Sequence, residues 1–554
     1  MLVYGDRIER ADPTEKIAAV RESLDAVRQM RAGLERHSKL VSALIDAGML
    51  LQGLADSDFE RTGVDRRIDA ADALTAFLVQ LAGEVIRSWE RGVACEIPHA
   101  PTLRDLPGEV RLREPEGYAF YALYPEAYAE ATRKLRVEDP YVIGIRSIGT
   151  SLGAIVAATL GAKSFATVRP SGHPFARQVA IAPELERELL APGRDYVIVD
   201  EGPGLSGSSF GAVADWLLQR GIPLDRIVFV PGHGGEPGPQ ASDAHRALWR
   251  QVRKSPAAFD RAWLAERFGP LEPFRTGTRL KFLAGSGSER VLLRFAGLGS
   301  TGERKLKMAG ALHDEGFTPE PLGLVHGFLP ERWYEDAQRL DRSERPLREM
   351  AAYIGARARL FPAAENEGAS IEQLFAMACR NVEIALGAGA LARIACWQQR
   401  IGSLQRCASR VRTDNRMDAH KWLRLSDGRL LKTDALDHHC AHDLIGAQDM
   451  AWDVAGAAVE FDLDPGERSL LAAEAGRAAG RLVDPELLDF MTLAYLAFRL
   501  GEARLTGLEP PAVAYERRLR QLLLESSRGA NPRESGFGGR AERTGAGTIQ
   551  PYFG

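Results

Sequence analysis

The chain has 554 residues, 45% hydrophobic and 26% charged, with a net charge of −4, so several domains are expected and neither nucleic acid nor an anionic membrane is called for. Five cysteines (Cys95, Cys379, Cys396, Cys407 and Cys440) are odd in number and lack CxxC spacing, which argues against a disulfide scaffold and for a reducing cytoplasm. No run of about 18 apolar residues and no basic-then-apolar amino terminus stands out, so neither a membrane span nor a signal peptide is expected.

Residues 14–90 read as helices within an amino-terminal region, 1–95. In SKLVSALIDAGMLLQGLADSDF the apolar residues recur at three and four, and polar residues punctuate the segments. A helical cap packed on another domain is the simplest expectation. The Pro-containing ACEIPHAPTLRDLPGEV marks the first boundary. Between 118 and 262, strands such as YVIGIRS, FATVRP, YVIVDEG and RIVFVPG alternate with helical stretches. That alternation predicts a parallel sheet covered on both faces, a domain over 96–262, with ligands at the carboxyl ends of its strands.

A second break, PGHGGEPGPQ, leads into a third region, 270–524. It opens with the short strands RLKFLAG and RVLLRFAG and the helix ERKLKMAGALHDEG, and helices dominate from 345 onward. Residues 525–554 are rich in Gly and Arg, have little to bury, and are expected to be disordered. The fold class is therefore multidomain α/β: a helical amino-terminal region, a parallel-sheet α/β domain and an α+β domain.

The most informative stretch is YVIVDEGPGLSGSSFGAV, residues 196–213. A buried strand ends on Asp200 and Glu201, and a Gly/Ser loop follows and feeds a helix. Adjacent carboxylates accept hydrogen bonds from vicinal hydroxyls and support Mg²⁺. A Gly/Ser loop at a helix start offers N–H groups and hydroxyls to a phosphate. The Lys of a Walker A loop and the spacing of GxGxxG are both absent.

The stretch resembles the type I phosphoribosyltransferases. The resemblance implies that Asp200 and Glu201 hold ribose hydroxyls and Mg²⁺, and that Ser206, Gly207, Ser208 and Ser209 hold the 5′-phosphate of phosphoribosyl pyrophosphate. The loop is one residue longer than the usual motif, and the position where some relatives carry a base-activating Asp holds no acid. Upstream, IGIRSIGTSLGA looks like the pyrophosphate loop, with Arg146, Ser147, Gly149, Thr150 and Ser151 as contacts. TVRPSGHPFARQV sits where that family has a mobile lid, and its Arg169, His173 and Arg177 are suited to a leaving pyrophosphate. The implied chemistry is displacement at the anomeric carbon, with Arg169 and Arg177 stabilising the departing charge.

The third region resembles the aminoglycoside/choline kinase-like phosphotransferases, which implies a bilobal fold. Asp418 aligns with the catalytic Asp, Asp434 with the metal-binding Asp, and Asp453 with a structural Asp at a helix start. The nucleotide-anchoring Lys is replaced by Arg294. Its helical Glu partner is absent, with Glu303, Lys307 and Met308 nearby, and Lys421, Trp422 and Leu423 stand where a metal-binding Asn is expected. Lys281, Lys305 and Lys307 are the remaining cations for a nucleotide. DHHCAHD (437–443) carries several ligand-type residues, but its spacing fits no zinc template and a loop is the simpler reading. His420 is read as a local hydrogen-bonding residue.

The combined expectation is a Mg²⁺-dependent phosphoribosyltransferase acting on a nucleobase-like or other small acceptor, fused to a kinase-like domain that uses ATP. The rival is a regulator that senses phosphoribosyl pyrophosphate or a nucleotide without turnover. Small-molecule substrates are the expected partners, without nucleic acid or membrane, and self-association is left open.

Overall fold

The computed structural model describes residues 8–92, 96–274, 280–440 and 445–528. These residues form two compact units: one of 8–307 with 321–333, the other of 308–320 with 334–528.

The first unit is built on a five-stranded parallel sheet. Its spatial order is Ser164–Val168, Tyr141–Ile145, Tyr196–Val199, Ile227–Val230 and Arg253–Lys254, or 2-1-3-4-5 in chain order. Val and Ile dominate the three central strands, which are buried throughout. Alternate residues face opposite sides. Val142, Val197, Val199 and Val230 enter one core, whereas Ile143, Ile145, Ile198 and Phe229 enter another. The predicted two-faced parallel sheet is present.

The first core also absorbs the amino-terminal helices Pro13–Gln29, Leu34–Thr62 and Asp69–Arg91. The helix Gly149–Leu160 is the link: residues 149–157 are all buried, and it packs on both Leu34–Thr62 and Asp69–Arg91. A helix apolar all round needs cover on every side, so helices and sheet condense into one body rather than a cap on a separate domain. Leu34–Thr62 is long and apolar enough to cross a membrane by length and composition, unlike the sequence expectation, but 78% of its apolar window is buried inside the unit.

The same core takes in an antiparallel sheet of Glu272–Pro273, Lys281–Ala284, Val291–Phe295 and Phe328–Arg332, through Phe282, Leu293, Phe295 and Phe328. The sequence reading had assigned these strands to the carboxy-terminal region. Tyr124, Phe259, Trp263, Phe295 and Phe328 form a continuous aromatic cluster that holds them here.

The second unit is mainly helical. Leu347–Leu360 packs on Pro465–Ala479 closely enough that a Cβ on Gly355 would come within 2.4 Å of the Ala478 Cβ. Ser370 and Asp464 close capping boxes with Gln373 and Glu467. Short strands Trp422–Arg424 and Leu430–Lys432 form an antiparallel pair, and Arg410–Val411 pairs with Gln448–Asp449. The helix Glu509–Arg528 enters the stretch expected to be disordered; 529–554 lie outside the described residues, as do Cys95, His442 and Asp443.

Candidate functional site

In the first unit the strand order reverses between Tyr141–Ile145 and Tyr196–Val199, and a doubly wound sheet binds its ligands at that crevice. The residues that follow these two strands are Arg146–Thr150 and Asp200–Glu201, so the structure brings the two predicted loops together. They touch: a Cβ on Gly149 would lie 2.5 Å from the Val199 carbonyl oxygen. The Tyr128 hydroxyl donates to the Asp200 carbonyl at 2.9 Å, and the Gly117 N–H donates to Glu201 Oε2 at 2.9 Å. Burial raises the Asp200 carboxyl to about 6, against the lowering influence of its own hydrogen bonding and of Arg177 and Arg169.

The predicted lid is a hairpin, Ser171–His173 with Ala176–Gln178, whose tip rests on the Gly/Ser loop. Ser206 and Ser208 donate to the Pro174 carbonyl at 3.2 and 2.6 Å, and Arg177 donates to Ser209 Oγ at 2.7 Å. Gly207, at φ +62°, caps the helix Ser208–Gln219 in a left-handed conformation that suits Gly.

Arg146 and Arg169 do other work. Arg146 is buried and pairs with Asp56 at 2.8 Å and Asp65 at 2.5 Å. Arg169 pairs with Asp56 through its side chain, and its N–H donates to Asp65 at 2.8 Å. Both guanidiniums, expected at a diphosphate, are thus committed to carboxylates of the amino-terminal helical region. Thr150 is fully buried, and Ser151 shares a hydrogen bond with the Tyr118 hydroxyl at 2.9 Å, whereas Ser147 remains partly exposed.

In the second unit Asp418 precedes the short turn Ala419–Lys421. Its loop is fixed from below. The Asp453 carboxylate, at the start of the helix Ala451–Glu460, accepts the N–H groups of Asp414 and Asn415 at 2.7 and 2.9 Å. Beneath lies a buried charged layer that the sequence reading missed: Asp414 pairs with Lys432 at 3.0 Å and accepts from Tyr353, while Arg357 donates to the carbonyls of Arg412, Thr413 and Ala435.

Asp418 is paired with Arg499 at 3.1 Å. Burial alone would raise its carboxyl, but Arg499, Arg416 and Lys421 hold it well below the usual range. A cavity of about 470 Å³ opens beside it, lined also by Asp341, Arg342, His420, Glu460, Tyr515 and Arg518. Burial keeps the His420 imidazole below its ordinary value even with Asp418 beside it.

Asp434 follows Leu430–Lys432 at φ +58°. Its Oδ2 receives the Lys421 ammonium at 2.6 Å and lies 3.1 Å from His438 Nε2. Burial, with Lys421 adding to it, drops His438 to about 4, so its imidazole is neutral near pH 7. The Asp434 carboxylate is an oxygen ligand of the kind Mg²⁺ takes, but its Oδ2 is engaged here by the Lys421 ammonium, which would have to move for an ion to bind. Arg294, back in the first unit, is buried on its strand and pairs across the sheet with Glu331 at 3.1 Å, a partner on a strand rather than a helix. Lys305 points to the Ala119 carbonyl at 3.3 Å and the face of Phe120.

No family model and no curated protein matches the chain. Solved structures similar to it include the choline kinase LicA from Streptococcus pneumoniae, at 13% identity over 48% of this chain and 97% of that one, with a TM-score of 0.35. A choline/ethanolamine kinase family protein from Mesorhizobium loti is 19% identical over 48% and 92% of the two chains, with a TM-score of 0.32. The aminoglycoside phosphotransferase APH(4)-Ia is 15% identical over 48% and 97%, also at 0.32. The chain is thus similar, over about half its length, to structures of kinase-like phosphotransferases.

Proposed function

We propose that the second unit transfers a phosphoryl group from Mg²⁺–ATP to a hydroxyl of a small molecule held in the cavity beside Asp418. The observation that carries this reading is Asp418 at a cavity wall, paired with Arg499, on a loop whose backbone is pinned by Asp453. The hydroxyl oxygen would attack the γ-phosphorus as the bond to ADP breaks, and the hydroxyl proton would pass to Asp418. A carboxylate held this acidic takes the proton only as the new P–O bond forms, so its main task is to orient the hydroxyl. Asp434 would hold Mg²⁺, which supplies charge neutralisation to the phosphates, and Lys421 would turn its ammonium from Asp434 towards a phosphate oxygen.

The test is a thermal-shift titration with ATP and Mg²⁺, followed by a phosphotransfer screen over small alcohols and amino alcohols. A Mg²⁺–ATP shift that Asp434→Asn removes is expected, together with at least a ~100-fold fall in transfer for Asp418→Asn. No shift in either wild type or Asp434→Asn would make the unit a scaffold.

A second reading, for the first unit, is phosphoribosyl binding. It is favoured by the acidic pair and the Gly/Ser loop meeting at the reversal of strand order. Asp200 and Glu201 would face the ribose hydroxyls with Mg²⁺, Ser206–Ser209 the 5′-phosphate, and Arg177 the pyrophosphate. Arg146 and Arg169 serve in this reading to hold the loop that follows Tyr141–Ile145. Calorimetry with phosphoribosyl pyrophosphate decides it: Mg²⁺-dependent binding should vanish in Asp200→Asn/Glu201→Gln.

A further inference from the structure

Away from both sites, His37, Glu126 and His326 meet inside the first unit. All three are buried, and they offer ligand atoms that lie within 4.8 Å of one another. They come from the helix Leu34–Thr62, the helix Pro125–Arg133 and the tight turn before Phe328–Arg332. His37 Nε2 lies 2.5 Å from Glu126 Oε1, and His326 Nε2 lies 3.3 Å from the same oxygen. Trp89 packs on both imidazoles, with ring centroids 5.0 and 5.9 Å away.

The hydrogen bonds around His326 fix where its proton sits. The Ser38 hydroxyl donates to the Leu34 carbonyl at 2.8 Å, because a carbonyl can only accept. With its proton on the Leu34 carbonyl, Ser38 Oγ is left to accept from His326 Nδ1, 3.0 Å away. A neutral His326 therefore turns the lone pair of Nε2 towards a carboxylate oxygen, without the alignment of a hydrogen bond. Two lone pairs facing each other in a dry interior are repulsive unless a positive charge lies between them. Glu126 Oε2 is also buried without a donor.

The turn adds a second, independent sign. Val325 and Phe328 exchange backbone hydrogen bonds at 2.7 and 2.9 Å, with His326 at φ +45° and Gly327 at φ +87° between them. This is a type I′ arrangement, which favours Asn or Gly at its first central position. His326 stands there at a positive φ that few residues other than Gly, Asn and Asp adopt.

We propose that His37, Glu126 and His326 bind a divalent transition-metal ion, zinc by its preference for two imidazoles and a carboxylate. Tetrahedral zinc holds its ligand atoms about 3.3 Å apart; His326 and Glu126 already stand at that separation, whereas His37, 2.5 Å from Glu126, has to draw back from it. The His326–Ser38–Leu34 chain is the outer hydrogen bond that orients a ligating imidazole. A cleft of about 860 Å³ has Ser38 and His326 in its wall, so the cluster lies one residue from solvent-accessible space. The ion would tie two helices and a β-turn that are distant in sequence into one cross-link.

The full-length protein, stripped with a chelator, is titrated with Zn²⁺ against a chromophoric competitor and, separately, with Co²⁺ in the visible. One equivalent of zinc with a Kd below about 1 μM, a rise in Tm, and the d–d bands of four-coordinate cobalt are expected. Glu126→Gln and His326→Gln should each weaken binding at least ~10-fold, and Ser38→Ala, which leaves the ligands in place, by several-fold. Wild-type protein that takes up no tight equivalent overturns the proposal and leaves a proton shared between His326 and Glu126. Binding unchanged in the folded Ser38→Ala, Glu126→Gln and His326→Gln variants also overturns it, since the ion then sits elsewhere. If the two ligand variants fail to fold, the wild-type stoichiometry, the cobalt spectrum and Ser38→Ala decide.

Discussion

Asp200 and Arg169 show how the same kind of residue takes opposite parts. Arg169 looks like a lid cation in sequence, but Asp56 and Asp65 engage it. Asp200 keeps a half-buried carboxyl whose desolvation raises it to about 6. Between the unfolded value near 4 and that folded value, the folded chain binds more protons than the unfolded one. Stability therefore falls as pH rises through this window, and the penalty is constant above it. Asp200→Asn should raise thermal stability at pH 7.5 by up to about 3 kcal/mol, with the difference vanishing near pH 4. Melting curves of both proteins across this range check it; a destabilised variant at pH 7.5 would show that the native carboxylate is satisfied by partners Asn cannot keep. The acids at the strand end were legible because a run of Val and Ile stopping on two carboxylates has few structural uses. The role of Arg146 was not, because its partners Asp56 and Asp65 lie 90 and 81 residues upstream.

At the scale of elements, the hairpin Ser171–Gln178 and the Gly/Ser loop are hydrogen-bonded to each other through groups that a phosphate would also use. Ser206 and Ser208 donate to Pro174, and Arg177 donates to Ser209. A phosphate received by the loop competes for those hydroxyls and for Arg177. Adding phosphoribosyl pyrophosphate with Mg²⁺ should therefore change amide exchange at 171–178 more than anywhere in the second unit, which hydrogen-exchange mass spectrometry reads directly. If the phosphoribosyl reading extends to transfer, Arg177→Ala should reduce turnover more than affinity, because the charge on a leaving pyrophosphate grows as its bond breaks. Unchanged exchange on ligand addition would assign the hairpin a packing role. The strand Tyr196–Val199 and the helix Ser208–Gln219 followed from period and turn residues, but the hairpin did not, and its contact with the loop spans 32 residues or more and has no local signature.

At the scale of the molecule, the units do not follow the breaks in composition. PGHGGEPGPQ reads as a linker, yet the strands beyond it share a core with the amino-terminal helices through Tyr124, Phe259, Trp263, Phe295 and Phe328. Gly and Pro report where the backbone turns; they do not report which apolar faces meet afterwards. A fragment starting at residue 270 would carry Phe282, Phe295 and Phe328 without the surfaces that bury them, and should be insoluble or molten. A fragment of residues 1–333 keeps that core whole and should melt cooperatively. Solubility and calorimetry of the two fragments separate this division from a boundary near residue 265, under which the shorter fragment would fold.

The grip of Asp453 on the loop before Asp418 bears on substitution there. It holds main-chain N–H groups at 414 and 415, and every residue except proline supplies one. The side chains are held as well: Asp414 pairs with Lys432 and accepts from Tyr353, and Asn415 donates to the carbonyls of His438 and Gly446 at 3.1 and 3.0 Å. The left-handed φ of +63° at Asn415 narrows the choice there to residues such as Asn, Asp and Gly. The loop before Asp418 is thus fixed twice, once through its main chain and once through buried side chains, so that a substitution at 414 or 415 is felt at the carboxylate that follows.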